Sequence, residues 1–212
     1  MDSVVLLHGL WRSRWSMVLP YWRLRAAGFH VVGIDYPSRS RPIEELARHV
    51  AERLPDAAAA GRLHFLTHSL GGLVTRHLIR TRRPANLGRV VMLSPPNQGS
   101  HLARRLQRSR FMRAAAGPIG PLLTSAPGEV ATLLGPVDFD LGIIAGDTRR
   151  SVLSGWFEGP SDGRVTVDEA RVEGMADLLV VPRGHAFIMN DPRVIDQAIH
   201  FLRHGQFRRD AG

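Results

Sequence analysis

Ser69 has surroundings that can turn a serine hydroxyl into a nucleophile. It lies in the segment Thr67 to Gly72, between the apolar run Leu63 to Leu66 and the helix-like stretch Leu73 to Ile79. A sharp turn from a strand into a helix strains the backbone of its central residue, lifts that side chain clear of the sheet edge and aims the first helical amides at it. Two glycines after the serine give such a turn room. We therefore predict that Ser69 is a nucleophile, although a serine here could also simply cap the helix.

At its ordinary pKa a serine hydroxyl is a weak nucleophile, so it needs a base and a group that orients the base. His185 follows the last apolar run of the chain and is the predicted general base. Asp162 lies in an Asp-Gly turn between the serine and the histidine, where a carboxylate can face an imidazole, and it is the predicted orienting acid. Asp147, just after the apolar run Leu141 to Ala145, is the alternative acid.

Two backbone amides are candidates for binding the oxyanion that forms when a carbonyl is attacked. The apolar run Val4 to Leu7 ends in a glycine turn, and the amide of Leu10 follows that turn. The amide of Leu70 comes directly after the predicted nucleophile. Trp11 and Trp15 are candidates for the wall of a substrate pocket, although packing of the first helix explains them equally well.

These motifs resemble those of the α/β-hydrolase superfamily, and in particular those of bacterial lipases and esterases. The order serine, aspartate, histidine is the order found in that superfamily. The segment Ser94 to Ser100 is similar to the proline-containing segment that follows the next strand in many lipases. Thr67 replaces the usual first glycine of the serine motif and is small enough for that crowded position. The resemblance extends from Val4 to about Phe201, except for His101 to Pro136, which matches no motif we can name.

The apolar pattern predicts the elements that position these residues. Six short runs are continuously apolar, as expected for strands that are covered on both faces, and helix-like segments lie between them. Together with the resemblance, this predicts an α/β-hydrolase fold with a mostly parallel six-stranded sheet flanked by helices. The predicted strands are Val4 to Leu7, Val31 to Ile34, Leu63 to Leu66, Val90 to Leu93, Leu141 to Ala145 and Leu178 to Val181, and the predicted helices are Trp15 to Ala27, Ile43 to Ala60, Leu70 to Thr81 and Arg193 to Leu202.

A length of 212 residues with 44% hydrophobic residues is enough for one domain with a substantial core. We expect residues 1–212 to form a single α/β-hydrolase domain, with residues 101–136 as a short lid-like insertion. The glycine- and proline-rich stretches Gly117 to Pro127 and Gly155 to Gly163 predict loops inside that domain.

The composition excludes several chemistries. All 28 basic side chains are arginines, because the sequence contains no lysine. A Schiff-base lysine, a pyridoxal anchor, a phosphate-loop lysine and a Ser-Lys dyad are therefore excluded. The sequence also contains no cysteine, which excludes disulfides, thiolate nucleophiles and cysteine-ligated metals. The predicted chemistry requires neither a metal nor a cofactor.

The net charge of +9 favours contact with anions, so an anionic membrane surface is a candidate partner beside the substrate itself. Such charges are also typical of a solvated surface. No nucleic-acid-binding motif with interleaved aromatic residues occurs, and nucleic acid is not an expected partner. With no apolar leader and no run of about 18 apolar residues, we expect a cytoplasmic location. Five arginines fall within the lid-like segment, namely Arg104, Arg105, Arg108, Arg110 and Arg113.

The sequence thus predicts a serine hydrolase that cleaves carboxylic esters through an acyl-enzyme, with a small-molecule or lipid-like ester as substrate. A thioesterase or an amidase would use the same triad. A protein of this fold that binds a ligand without catalysis is the alternative from another class. The sequence leaves open the acyl chain length, the leaving group, the mobility of the lid, the oligomeric state and the physiological substrate.

Overall fold

The computed structural model describes residues 1–56, 61–107, 109–110, 114, 116–148 and 159–209. Within these ranges the chain forms one six-stranded sheet in the order β2-β1-β3-β4-β5-β6, and every neighbouring pair is parallel. The predicted α/β fold with a six-stranded, mostly parallel sheet is therefore confirmed. The strands are β1 (Ser3–Leu7), β2 (His30–Ile34), β3 (Leu63–His68), β4 (Leu87–Leu93), β5 (Leu141–Gly146) and β6 (Asp177–Val181).

Helices cover both faces of this sheet. Along β1, Val5 and Leu7 pack into one hydrophobic cluster while Val4 and Leu6 pack into another, which explains why the strand is continuously apolar. The first cluster includes residues of α2 and α3, and the second includes residues of α1 and α8. The α-helices in the described residues are α1 (Val18–Ala26), α2 (Ile43–Ala51), α3 (Leu70–Arg82), α4 (His101–Leu106), α5 (Gly120–Thr124), α6 (Pro127–Leu134), α7 (Val167–Ala170) and α8 (Pro192–His204).

The strand register brings the candidate site residues to one edge of the sheet. Leu7 pairs with Thr67, His68 pairs with Leu93, and Gly146 pairs with Val181. Because parallel strands end on the same side, the loops that follow β1, β3, β4, β5 and β6 all meet at this edge.

The helix predicted over residues 43–60 is shorter than expected. It ends at Ala51, and the amides of Arg53 and Leu54 donate to carbonyls three residues back, which tightens the chain into a turn. Pro55 then follows, and it has no amide hydrogen with which to continue a helix. Residues 57–60 lie outside the described part of the chain. The first predicted helix likewise begins with a 3₁₀ turn, Arg14–Met17, before α1.

The prediction of a loop over residues 117–127 was wrong. This stretch contains a 3₁₀ turn, Gly117–Ile119, and all of α5, and it ends at the start of α6. In each of the three elements a proline stands at the first or second position. Proline has no amide hydrogen to lose there, so it starts these helices instead of breaking them. The predicted loop over 155–163 lies partly outside the described residues.

Candidate active site

Ser69 sits on the sharp turn between β3 and α3. Its backbone has φ 52° and ψ −119°, a conformation that residues other than glycine rarely adopt. The amide of Ser69 donates to the carbonyl of Leu93 at 2.9 Å, which fixes the turn to the end of β4. At Gly71 an added Cβ would lie 2.8 Å from the carbonyl oxygen of Leu7. The predicted need for glycine after the serine therefore has a direct cause, which is the close approach of β1.

The residues around this turn are closely packed. A Cβ at Gly9 would lie 2.9 Å from Nδ1 of His68 and 3.2 Å from Cβ of Ser69. Thr67, which replaces the glycine of related motifs, is fully buried, and its hydroxyl lies 3.5 Å from the carbonyl oxygen of Val91. A threonine therefore fits the position, and Ser69 has little space in which to move.

Ser69, His185 and Asp162 form a continuous hydrogen-bonded chain. Nε2 of His185 lies 3.1 Å from Oγ of Ser69, and Nδ1 of His185 lies 2.7 Å from Oδ2 of Asp162. The amide of His185 also donates to the carbonyl of Asp162 at 3.0 Å. With a proton on Nδ1 shared with the carboxylate, Nε2 is left to accept the serine proton. The structure thus brings the three predicted side chains together in the arrangement that a serine nucleophile requires.

The second carboxylate oxygen of Asp162 is held by the turn that follows it. Oδ1 accepts from the amides of Arg164 and Val165 at 2.9 and 2.8 Å. Burial by itself would raise the pKa of Asp162. The charge of His185 and the hydrogen bonds from His185, Val165 and Ser94 outweigh burial and hold the pKa below its ordinary value of 3.8. The carboxylate is therefore ionised at neutral pH and can stabilise a positively charged imidazole.

Ser94 is a positioning residue that the sequence analysis did not single out. It follows β4 directly, is almost fully buried, and has a positive φ of 46°. Its hydroxyl bonds to Asp162 and accepts from the amide of Gly146 at 3.4 Å. A serine immediately after a strand that ends at the same edge as Ser69 is the sequence signal that could have indicated this role.

Asp147, the alternative acid, also lies at this edge of the sheet. Its amide donates to the carbonyl of Val181 at 2.8 Å, which continues the pairing of β5 with β6. The carboxylate that bonds to His185 is that of Asp162. A Cβ at Gly146 would lie only 2.7 Å from Cβ of Asp162, so the end of β5 packs directly against the acid turn.

The predicted oxyanion donors lie beside Ser69. Leu10 and Leu70 both line the cavity that contains the serine. Leu70 is the first residue of α3, so its amide has no acceptor within its own helix. Leu10 lies in a tight turn, closed by the amide of Arg12 donating to the carbonyl of Gly9 at 3.3 Å. The assignment of both amides to an oxyanion hole stays a prediction.

Two further histidines, His68 and His8, make hydrogen bonds to backbone carbonyls beside the site. Nε2 of His68 lies 3.0 Å from the carbonyl oxygen of His185 and ties down the loop that carries the proposed base. Burial, and then the charge of His185, holds the pKa of His68 well below 6.5, so this ring is neutral. His8 bonds through Nδ1 to the carbonyl of Gly9 at 2.9 Å and stacks on Tyr36 with ring centres 4.3 Å apart.

A cavity of about 620 Å³ opens over Ser69. Its lining is mainly apolar and includes residues of α4 and α5, which form its roof. Trp11 lines it, and its assignment to a substrate pocket stays a prediction. Trp15 lies in the 3₁₀ turn before α1, is 69% exposed and does not belong to the described lining of the cavity.

A family model described as a domain of unknown function, DUF7379, matches residues 22–138, which is more than half of the chain. The chain belongs to the DUF7379 family. A rice protein named "Probable esterase PIR7A" (Oryza sativa subsp. indica) is 29% identical over 150 residues, covering 62% of this chain and 56% of the relative. The chain thus spans about half the length of this curated relative.

Solved structures of bacterial and archaeal esterases share the architecture of this DUF7379 protein. The mature lipase BlEst2 of Bacillus licheniformis superposes with a TM-score of 0.66 at 20% identity, covering 89% of this chain and 86% of that one. A carboxylesterase structure from Nitrososphaera gargenis gives a TM-score of 0.67 at 13% identity, covering 96% of this chain and 90% of that one. The predicted α/β-hydrolase fold is confirmed, and at these identities the likeness to esterases and lipases concerns the fold alone.

The arginines in the segment of the DUF7379 protein that was predicted to be lid-like differ from one another in their surroundings. Arg104 lies 3.5 Å from the carboxylate of Glu169 and donates to the carbonyl of Ser125, so it fastens the roof to the body of the protein. Arg105 and Arg110 are exposed. Arg108 and Arg113 lie outside the described residues.

Within the described ranges, no group of three His, Asp or Glu side chains is arranged to hold a metal ion. None of the helices in that part of the chain is long and apolar enough to cross a membrane.

Proposed function

We propose that this DUF7379 protein is a serine hydrolase that cleaves carboxylic esters through an acyl-enzyme intermediate. The hydrogen-bonded chain from Ser69 through His185 to Asp162, at the floor of an apolar cavity of about 620 Å³, carries this proposal. The name of the rice relative and the esterase and lipase structures of the same fold support it.

In the acylation step, Oγ of Ser69 attacks the ester carbonyl while Nε2 of His185 takes its proton. The carbonyl oxygen becomes an oxyanion, which the amides of Leu10 and Leu70 stabilise by hydrogen bonds that are strongest in the transition state. The tetrahedral intermediate then collapses, the bond to the alcohol breaks, and the leaving alcohol takes the proton from His185. Ser69 is left as an acyl ester.

In the deacylation step, a water molecule attacks the acyl carbonyl and gives its proton to Nε2 of His185. The second tetrahedral intermediate collapses, the carboxylic acid leaves, and the proton returns to Ser69. Asp162 keeps the proton of the resting imidazole on Nδ1 and stabilises the imidazolium in both steps. No step in this sequence calls on a metal or a cofactor.

A series of p-nitrophenyl esters from acetate to palmitate tests the proposal. We expect the wild-type protein to hydrolyse part of this series, because the apolar lining of the cavity suits an acyl chain. The Ser69→Ala variant should lose roughly 10⁴-fold or more in kcat, since the nucleophile and its base act as a unit. Wild-type protein that is folded but no faster than Ser69→Ala on every ester would instead favour the non-catalytic binding protein.

The same series distinguishes the remaining alternatives. A thioester and an anilide of the best acyl chain rank thioesterase and amidase activity against esterase activity by kcat/KM. A rate that increases once the substrate concentration exceeds its solubility limit indicates a lipase that acts at a lipid surface. Such a lipase would also contact a membrane. Smooth saturation with short soluble esters indicates an esterase.

A further inference from the structure

Two arginines line the active-site cavity and are tied to the loops of the proposed triad. A guanidinium nitrogen of Arg12 donates at 2.8 Å to the carbonyl of Ala186, the residue next to His185. The amide of Arg164 donates at 2.9 Å to the carboxylate of Asp162. Arg12 therefore contacts the loop of the proposed base, and Arg164 lies in the turn of the proposed acid.

Neither of these arginines has a carboxylate partner in the described part of the chain. Other arginines of the protein do, as in the pairs Arg14 with Asp35 at 3.4 Å and Arg104 with Glu169 at 3.5 Å. A guanidinium has five N–H donors, and Arg12 uses one of them on Ala186. Two cations with no carboxylate partner among the described residues, at a cavity that is otherwise mainly apolar, form an attractive position for an anion.

The positive charge also reaches the floor of the cavity. The pKa of buried His68 is held well below its ordinary value first by burial, then by the charge of His185, and further by the guanidinium groups of Arg12 and Arg164. The two arginines thus contribute to one electrostatic field at the site and do not act only on the outer surface.

We propose that Arg12 and Arg164 form an anion subsite, and that the preferred substrates are esters with a carboxylate or phosphate group near the scissile bond. Guanidinium groups bind both anions through charge-assisted, often paired hydrogen bonds. This inference rests on the proposed esterase function and names its substrate class. An uncharged ester of the same length would offer neither guanidinium group an anion to bind.

Matched substrates test the subsite in two arms. The first arm compares kcat/KM for the mono-p-nitrophenyl ester of succinate with that for p-nitrophenyl butyrate. The second compares dihexanoyl glycerol phosphate with dihexanoyl glycerol, both below their aggregation concentrations. We expect a preference for the anionic member of about 10-fold or more in at least one arm. Preference in the first arm identifies soluble half-esters of dicarboxylic acids, and preference in the second identifies anionic glycerolipids.

Variants connect the preference to the two side chains. Arg164→Gln and Arg12→Gln should each lower the ratio of anionic to neutral kcat/KM by roughly 10-fold, while Arg164→Lys retains part of it because the charge stays. Arg48→Gln is the matched control, because Arg48 is an exposed arginine of α2 that does not line the cavity. It removes the same unit of charge and should leave the ratio unchanged. The wild-type ratio should also fall as salt rises from 0.05 to 0.5 M.

A binding measurement separates failure of the subsite from failure of the proposed function. Calorimetry on Ser69→Ala compares hexyl phosphate with hexanol, so it needs no turnover. Binding of hexyl phosphate about 10-fold tighter than hexanol, lost when Arg164→Gln is added, supports the subsite even if no ester is hydrolysed. Equal binding of the two ligands, or ester turnover with no anion preference in either arm, would overturn the inference, and the latter result would leave the esterase function intact.

Discussion

The floor and the roof of the cavity are built in different ways. The floor consists of Gly9, residues 67–72, Asp162 and His185, and four of its polar side chains, Thr67, His68, Asp162 and His185, are at most 6% exposed. The roof consists of α4 and α5, and its first helix, α4, has no buried residue. It is held by apolar anchors such as Ile119 and Leu122 and by a few polar ties.

This difference in packing predicts that the floor and the roof affect different kinetic constants. Ser69 is fixed by a hydrogen bond to Leu93 at the end of β4, and His185 is fixed by hydrogen bonds to Asp162. A nucleophile and its base need such fixed distances, because small displacements of reacting groups lower rates strongly. In the proposed mechanism the roof needs only to cover an acyl chain with apolar surface, so its short helices can tolerate more change. Floor variants should therefore alter kcat, and roof variants should mainly alter KM and chain-length preference.

The largest effect is expected from the acid of the floor. Asp162→Asn removes the charge that orients and stabilises the imidazolium of His185, and kcat should fall by roughly 10⁴-fold with little change in KM. Asp147→Asn is the matched control at the same sheet edge, and its kcat should stay within a few fold of wild type. Steady-state kinetics on the best p-nitrophenyl ester measures both, and a larger loss in Asp147→Asn would reverse the assignment of the acid.

Two glycine substitutions compare the floor with the helix that follows the roof. In Gly9→Ala the new methyl group meets His68 and Ser69, so kcat should fall by roughly 10²-fold and the free energy of unfolding by about 1–3 kcal/mol. In Gly128→Ala, on α6 directly after the roof, the methyl group meets nothing within 4 Å. Alanine there should raise the free energy of unfolding by about 0.5–1 kcal/mol. Urea unfolding and kinetics check both, and a harmless Gly9→Ala would contradict the close packing of the floor.

Acid should weaken the floor through its buried histidine. The pKa of His68 in the folded protein is well below the value of 6.5, so below that pH the unfolded chain binds a proton that the folded chain excludes. Stability should therefore fall as the pH drops from about 6.5, with a slope of up to about 1.4 kcal/mol per pH unit from this residue. His68→Asn should show a shallower decline than wild type between pH 6.5 and 5. Above pH 7.5 the difference between the two proteins should be constant, and equal slopes throughout would contradict a buried, neutral His68.

The smallest effect is expected from the roof. Leu106→Ala removes part of the apolar lining of the cavity, so KM for the longest ester that is accepted should rise by about 3- to 10-fold. The acetate ester does not extend as far as Leu106, so KM for acetate serves as the internal reference for KM of the longest ester. A loss of kcat comparable with that of Asp162→Asn would contradict the division between floor and roof.

Much of the fold and of the candidate site could be predicted from the sequence because strong local signals coincide there. Strands buried on both faces are continuously apolar, so six runs predicted six strands. The parallel arrangement then places residues that follow strands, such as Ser69 and His185, at one edge. The Asp-Gly turn at Asp162 is a further local signal.

Other features depend on contacts between distant parts of the chain. The position of Ser94 beside Asp162 follows from how the end of β4 meets the acid turn, and the shared position of Arg12 and Arg164 follows from the folding of two separate loops. The roof helices were missed because proline was interpreted as a breaker, whereas it starts these helices. The local pattern gave no indication that Trp15 would lie outside the described cavity lining.

In the proposed mechanism, Ser69 is a nucleophile activated by His185. Reaction with a fluorophosphonate probe, followed by peptide mass spectrometry, reports on this activation, because the probe forms a covalent bond only with an activated serine. We expect one adduct, on Ser69, formed rapidly in wild type, absent in Ser69→Ala and strongly slowed in His185→Ala. A folded protein that is never labelled, or a probe attached to another serine while Ser69 stays unmodified, would contradict it.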